Sequence, residues 1–173
     1  TNYGSSATLD ATLSSTKETI PHFRFAFDAL GMHSNATILE ASLNLTRTTS
    51  SGSATLAVHE MDNDGAWNED ELTWLRKKTS QWWRSGGRGL ISHATDTGIF
   101  GSQISDDFSF DLTPTLQQHL DNGNTGVIDL AMTTRSENGA YSANAGIDSV
   151  TFYSSDATSE SDKPYLYITY EWG

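Results

Sequence analysis

The chain has 173 residues, a formal net charge of −12 and no cysteine, which excludes disulfide frameworks, thiolate metal sites and cysteine nucleophiles. With 36% hydrophobic and 10% aromatic residues, the composition allows a packed core, and the length suits a single domain spanning residues 1–173. The acidic balance disfavours nucleic acid and anionic membrane surfaces as partners, and no apolar run is long enough for membrane insertion.

Alternating apolar and polar residues predict strands along most of the chain. One strand face carries Phe23, Phe25 and Phe27, and the next carries Leu39, Ala41, Leu43 and Leu45. Further strands are predicted near residues 54–59, 108–112, 127–132, 150–153 and 165–170, separated by turns rich in Gly, Ser, Asn and Asp. A short helix is predicted over residues 115–120, with Thr113 as its cap and Pro114 in its first turn. The pattern predicts an all-β protein, an antiparallel, jelly-roll-like β-sandwich with one short helix.

Tryptophans cluster in the middle of the chain. Trp67 and Trp74 bracket an acidic turn, and we interpret them as packing residues because large aromatic side chains mostly serve packing. The adjacent pair Trp82 and Trp83 is followed by Arg84 and Arg88. An exposed indole can lie against the apolar face of a sugar ring, and a guanidinium can bind a carboxylate. These four residues form a candidate carbohydrate-binding site for an acidic glycan, with loop anchoring as the structural alternative.

An acidic segment, residues 60–71, has the side-chain spacing of a calcium-binding loop. Oxygen-bearing side chains fall at its positions 1, 3, 5, 9 and 12, with glycine at position 6. Asp62, Asp64 and Glu71 are therefore candidate calcium ligands, although glutamate at position 1 departs from the usual pattern. The alternative is an acidic turn in which the aspartates bind their own backbone.

Two other sequence features bear on localisation and activity. The triplets beginning at Asn35 and Asn44 are N-glycosylation sequons, consistent with an extracellular or cell-surface protein. The sequence contains neither a Gly-x-Ser-x-Gly elbow nor an HExxH motif, and its histidines are scattered without metal-ligand spacing. We therefore expect a protein that is not an enzyme.

The order of the motifs resembles a known family. The segments concerned are residues 1–9, 23–28, 35–43, 67–74, 110–113, 126–128, 152–155 and 164–170. Together they resemble the DNRLRE domain, also described as a family of carbohydrate-binding modules on alginate-degrading enzymes and large surface proteins. The resemblance implies a jelly-roll-like sandwich that binds polysaccharide or builds surface structure, and it implies no catalytic residues.

The sequence thus leaves two main functional hypotheses. The first is a non-catalytic extracellular module that binds polysaccharide, with an acidic glycan as the expected ligand. The second is a structural subunit of a filament or surface layer, because the family has a short strand before its opening segment that this sequence lacks. We expect the gap to be filled by residues 165–172 or by a strand from another copy, which would join copies head to tail. An enzyme acting on polysaccharide is a third, weaker hypothesis.

Overall fold

The computed structural model describes residues 5–14, 18–27, 30–51, 54–61, 67, 76–78, 81–82, 96–100, 107–136 and 148–172. For residues 51, 54–55, 76–78, 81–82, 96–100, 135–136 and 148 it describes the backbone alone. The described elements, in chain order, are β1 (Thr8–Leu13), β2 (Glu18–Thr19), β3 (His22–Ala26), β4 (Ala36–Ser51), β5 (Ala54–Glu60), β6 (Arg76–Lys78), β7 (Gln81–Trp82), β8 (Asp96–Phe100), β9 (Asp107–Asp111), α1 (Thr113–Asp121), β10 (Val127–Ser136), β11 (Asp148–Tyr153) and β12 (Tyr165–Trp172).

The strands form two main antiparallel sheets. The first has the order β12-β4-β11-β1-β2, with β9 also paired to β4, and the second has the order β3-β10-β5-β8. A separate pair joins β6 to β7. The predicted all-β antiparallel sandwich with one α-helix is confirmed for the described part of the chain. In the first sheet, strands from opposite ends of the sequence are neighbours: β1 pairs with β11, and β4 pairs with β12.

The hydrophobic core lies between the two sheets and under the helix. The first sheet contributes Leu43, Phe110 and Phe152, the second contributes Phe23, Leu56 and Leu130, and α1 contributes Leu116 and Leu120. Phe108 meets Phe152 edge to face, with ring centroids 5.6 Å apart. Burial of these side chains is the main source of stability for such a fold. Of the predicted phenylalanine face, Phe23 and Phe27 are buried, whereas Phe25 is partly buried against the core.

One residue of the second predicted face does not belong to the core. Leu39 is 57% exposed, whereas Ala41, Leu43 and Leu45 are buried as expected. The reason is a β-bulge in β4, where the successive residues Thr169 and Tyr170 of β12 pair with Glu40 and Ile38. Leu39 is the additional residue, so the alternation shifts by one position. Ile38 takes the inward position instead and is 6% exposed.

The helix is longer than predicted and begins differently. It spans Thr113–Asp121, and Leu112 occupies the cap position without a capping side chain. The prediction of Thr113 as the cap is wrong: Thr113 is the first helical residue, and its Oγ1 accepts the Ala41 N–H at 3.0 Å. The Asp111 carboxylate accepts the Thr113 N–H at 2.9 Å, so an acidic side chain serves the helix start instead. Gly123, at φ +84°, adopts the left-handed conformation that ends the helix.

The helix also completes one edge of β4. Beyond the end of β9, the Leu112 N–H donates to the Ala41 carbonyl at 2.8 Å. Further along, Gln117 Oε1 accepts the Ile38 N–H at 2.8 Å and Gln117 Nε2 donates to the Ala36 carbonyl at 3.3 Å. A glutamine side chain thus makes the two bonds that a neighbouring strand would make. As a result, β4 has partners on both edges along its first half, since β12 occupies the other edge.

Candidate functional site

The described residues include only part of the sites predicted from the sequence. Trp82 ends β7, where the backbone alone is described. Trp83, Arg84 and Arg88, the rest of the predicted carbohydrate-binding site, lie outside the described residues. The predicted calcium ligands Asp62, Asp64 and Glu71 also lie outside them. Among the residues that are described, no group of three or more His, Cys, Asp or Glu side chains is placed to hold a metal ion.

The two sequon asparagines occupy different environments. Asn35 lies exposed in the turn before β4. Asn44 lies within β4 and is half-buried, and its Nδ2 donates to the Ser42 carbonyl at 3.2 Å and to Ser42 Oγ at 3.0 Å. Glycosylation of either asparagine remains a prediction. A glycan on Asn44 would have to replace these hydrogen bonds and would rise from the middle of a sheet.

The best-defined open surface is the outer side of β9, β4 and β12. Odd-numbered residues of β12 and β9 and even-numbered residues of β4 point away from the core there, because side chains alternate along a strand. We call this surface the tyrosine face, and it consists of Tyr165, Tyr167, Ser42, Asn44, Ser109 and Asp111. Tyr165 is 56% exposed and Tyr167 is 44% exposed. Two neighbouring tyrosine rings are thus offered to solvent by a rigid strand rather than a loop.

Strand register arranges this surface in rows. Tyr165 is paired with Asn44, which is paired on its other side with Ser109. In the next row, Tyr167 is paired with Ser42, which is paired in turn with Asp111. Neighbouring strands lie about 4.8 Å apart, so each row spans about 10 Å from aromatic ring to acidic or hydroxyl group. An aromatic stripe, an amide and hydroxyl stripe and an acidic stripe therefore run side by side.

Carboxylates dominate the electrostatics of this surface. Glu40 and Asp107 continue it at the two ends, and Thr46 Oγ1 donates to Asp107 Oδ1 at 3.3 Å. Hydrogen bonds from the Thr113 side chain and backbone lower the pKa of Asp111, so this carboxylate is ionised in neutral solution. Lys163, the cation that precedes β12, binds Glu160 at 2.6 Å. The surface therefore offers hydrogen-bond acceptors and negative charge.

A different aromatic group lies at the far end of β12. Trp172 is 57% exposed, but as an even-numbered residue it projects from the opposite side of the strand. Its ring contacts His33, with centroids 5.4 Å apart, and Tyr170, with centroids 5.5 Å apart. The Tyr170 hydroxyl donates to the Leu30 carbonyl at 3.0 Å. These contacts hold the end of the strand in place and are separate from the tyrosine face.

The outer side of the second sheet carries an ion pair and a histidine that are partly buried. Arg24 donates from Nε and Nη2 to the two carboxylate oxygens of Asp129, at 2.7 and 2.9 Å. The guanidinium lies 4.6 Å from the ring centroid of Trp67, which also packs against the buried cluster of Met61 and Ala131. Trp67 is thus a packing residue, in agreement with the interpretation from sequence. Burial lowers the pKa of the neighbouring His22 to about 4, so this ring is neutral at pH 7.

A second buried histidine links the helix to the second sheet. His119 Nε2 lies 2.8 Å from the Val127 carbonyl, and His119 Nδ1 lies 2.6 Å from Glu60 Oε1. A carbonyl only accepts, so Nε2 donates its proton there, and the proton of the second bond lies between Nδ1 and the carboxylate. Glu60 is the first residue of the predicted calcium loop, and this hydrogen bond ties its carboxylate to α1. His119 is buried beneath the helix and Glu60 is partly exposed, so the pair anchors α1 to the end of β5.

Comparisons with known proteins assign this chain to no family. The chain matches no protein-family model, and no curated protein is similar to it. In the described part of the chain, no helix has the length and apolar character needed to cross a membrane.

Proposed function

We propose that this chain is a non-catalytic extracellular module that binds a polysaccharide on the tyrosine face. The observation that carries the proposal is the exposure of Tyr165 and Tyr167 side by side on an open, rigid strand. An aromatic ring offers a flat apolar surface to the C–H face of a sugar, and polar neighbours fix the orientation of its hydroxyl groups. The stripes of Ser42, Asn44 and Asp111 supply such neighbours.

The charge of the surface favours a neutral polysaccharide. Glu40, Asp107 and Asp111 accept hydrogen bonds from sugar hydroxyls, but they repel the carboxylates of a uronic acid chain. This ligand differs from the acidic glycan expected from Trp82, Trp83, Arg84 and Arg88. The acidic-glycan hypothesis depends on that tryptophan and arginine cluster, and the neutral-glycan hypothesis depends on the tyrosine face. Membership of the DNRLRE family is part of the proposal and rests on the order of the sequence motifs.

The test is binding to immobilised polysaccharides by the wild-type chain and by single variants. We expect retention on a neutral β-glucan or xylan, with Tyr165→Ala and Tyr167→Ala each weakening binding about tenfold, the loss of ~1.4 kcal/mol of ring contact. Trp172→Ala is the matched control, because Trp172 is as exposed as Tyr165 but lies on the opposite side of β12. Its affinity should stay at the wild-type value.

Two results would contradict the proposal. The first is no retention on any neutral polysaccharide. The second is retention on alginate or pectate that Tyr165→Ala and Tyr167→Ala leave unchanged, which would support the site around Trp82 and Trp83 instead. Salt dependence separates these outcomes, because binding to a polyanion weakens as salt rises and stacking on a neutral glycan does not.

A further inference from the structure

The outer edge of β12 is a long strand edge without a partner in the described part of the chain. Tyr165–Trp172 pairs with β4, and among the described residues no other backbone hydrogen bond involves these eight. The bulge in this pairing belongs to β4, so β12 itself is regular. The strand contains no proline and one charged residue, Glu171. Edges that are long, regular and aromatic promote pairing with another chain unless they are blunted.

The other open positions of the first sheet are protected. The opposite end of the sheet is β2, which has two residues, Glu18–Thr19. The edge of β4 beyond β9 is covered by α1, where Gln117 and Leu112 make its hydrogen bonds. The second edge of β9 (Asp107–Asp111) also has no partner among the described strands, but β9 is shorter and carries a carboxylate at each end. The longest and least charged open edge of the described sheet is therefore β12.

We propose that β12 pairs antiparallel with β12 of a second copy, around a two-fold axis at Tyr167. Charge selects this register: Glu171 then lies opposite Lys163 of the partner subunit, and the reciprocal pair forms on the other side of the axis. Moving the axis to Leu166 or Ile168 would place Glu171 opposite Ser161 or Tyr165 instead. A register shifted by one residue would place the outward side chains of one copy beside the inward side chains of the other. Such a register is disfavoured in a sheet that has one buried face.

The present contact of Lys163 does not oppose this pairing. Its partner Glu160 is 86% exposed and lies three residues away, so the ion pair between them is a weak surface pair. The two-fold contact is closed, because the same strand serves both copies. It joins the two tyrosine faces into one continuous surface, with both copies of Tyr167 adjacent at the axis. The inference concerns assembly and holds whether or not the tyrosine face binds a glycan.

Charge exchange tests the register. Sedimentation equilibrium of the full chain should show a concentration-dependent dimer. Glu171→Lys should raise the dimer dissociation constant about tenfold, because two like-charge contacts replace two ion pairs. The double variant Glu171→Lys with Lys163→Glu should restore the wild-type constant. A chain that stays monomeric up to submillimolar concentration, or a dimer unaffected by Glu171→Lys, would overturn the proposal, as would open-ended polymers.

A single introduced cysteine tests the position of the two-fold axis directly, because the chain has no cysteine of its own. Facing residues of antiparallel strands have Cα atoms about 4.5–5.5 Å apart, within the range that a disulfide spans. Tyr167→Cys should therefore cross-link into a covalent dimer under a mild oxidant such as diamide. Leu39→Cys is the control, because Leu39 is exposed but lies on β4 away from this edge. Equal cross-linking of the two variants would contradict the two-fold axis at Tyr167.

Discussion

Replacing Gln117 by alanine should destabilise the protein by about 2 kcal/mol. The change removes the acceptor of the Ile38 N–H and the donor to the Ala36 carbonyl. Those residues are buried, with 6% and 2% exposure. An unmade hydrogen bond at a buried backbone group costs about 1–3 kcal/mol. Each of the two bonds contributes about 1 kcal/mol, the lower part of that range, because water can enter where the side chain is removed.

Gln118→Ala is the matched control for this prediction. Gln118 is the next residue of α1 and is exposed, and both changes carry the same gain in helix propensity. Gln117 Nε2 also donates to Asp121 Oδ1 at 2.9 Å on the exposed side of the helix, and such an i,i+4 bond contributes only about 0.2–0.5 kcal/mol. The difference between the two variants therefore reports mainly the bonds to β4. Urea denaturation followed by circular dichroism measures it, and the melting temperature of Gln117→Ala should fall by about 4–8 °C, at roughly 2–4 °C per kcal/mol for this chain length. If both variants have the same stability, the helix does not complete the edge of β4.

Two further outcomes follow from burial. Leu43→Ala should cost about 3–5 kcal/mol by leaving a core cavity, whereas Leu39→Ala should stay within about 0.5 kcal/mol because the bulge turns Leu39 outward; similar losses would contradict the bulge. Burial lowers the pKa of His22 from 6.5 to about 4, so between these values the unfolded chain binds a proton that the folded chain does not. Stability should therefore fall as pH drops through this window, by at most about 3 kcal/mol. His22→Gln should flatten this part of the pH profile, and an unchanged slope would show that His22 titrates normally.

The sequence predicts a strand and its buried face correctly where apolar and polar residues alternate without interruption. Leu43 and Leu45 alternate with Asn44 and Thr46, and both leucines are buried. The same rule fails at Leu39, because the bulge depends on how β12 pairs across from it. The cap assignment fails for a related reason: Thr113 binds the backbone of β4, and Asp111 is closer to the first N–H groups of the helix. The β4 partner of Thr113 is a tertiary contact that a local pattern does not contain, whereas Asp111 lies two residues before Thr113 and is visible in the sequence.

The tyrosine face was only partly predictable. The alternation of Tyr165 and Tyr167 with Leu166 and Ile168 indicates a strand with one aromatic and one aliphatic face. It does not show which face stays open, since a strand can be covered on both sides, as residues 128–134 of β10 are. The surface also combines residues from β4, β9 and β12, which only strand order brings together. Tryptophans give the stronger signal in a linear sequence because of their size, whereas a tyrosine at alternate positions of a strand does not stand out.

The pairing of β1 with β11 constrains how the chain folds. Asp10 accepts a hydrogen bond from Thr151, 141 residues further along the chain, and β4 likewise depends on β12. During synthesis β1 and β4 emerge long before these partners do. Closing loops of this length is slow compared with forming a helix or hairpin. The first sheet is therefore completed late, and until then the nascent chain exposes unpaired strands that a chaperone or a neighbouring chain can engage.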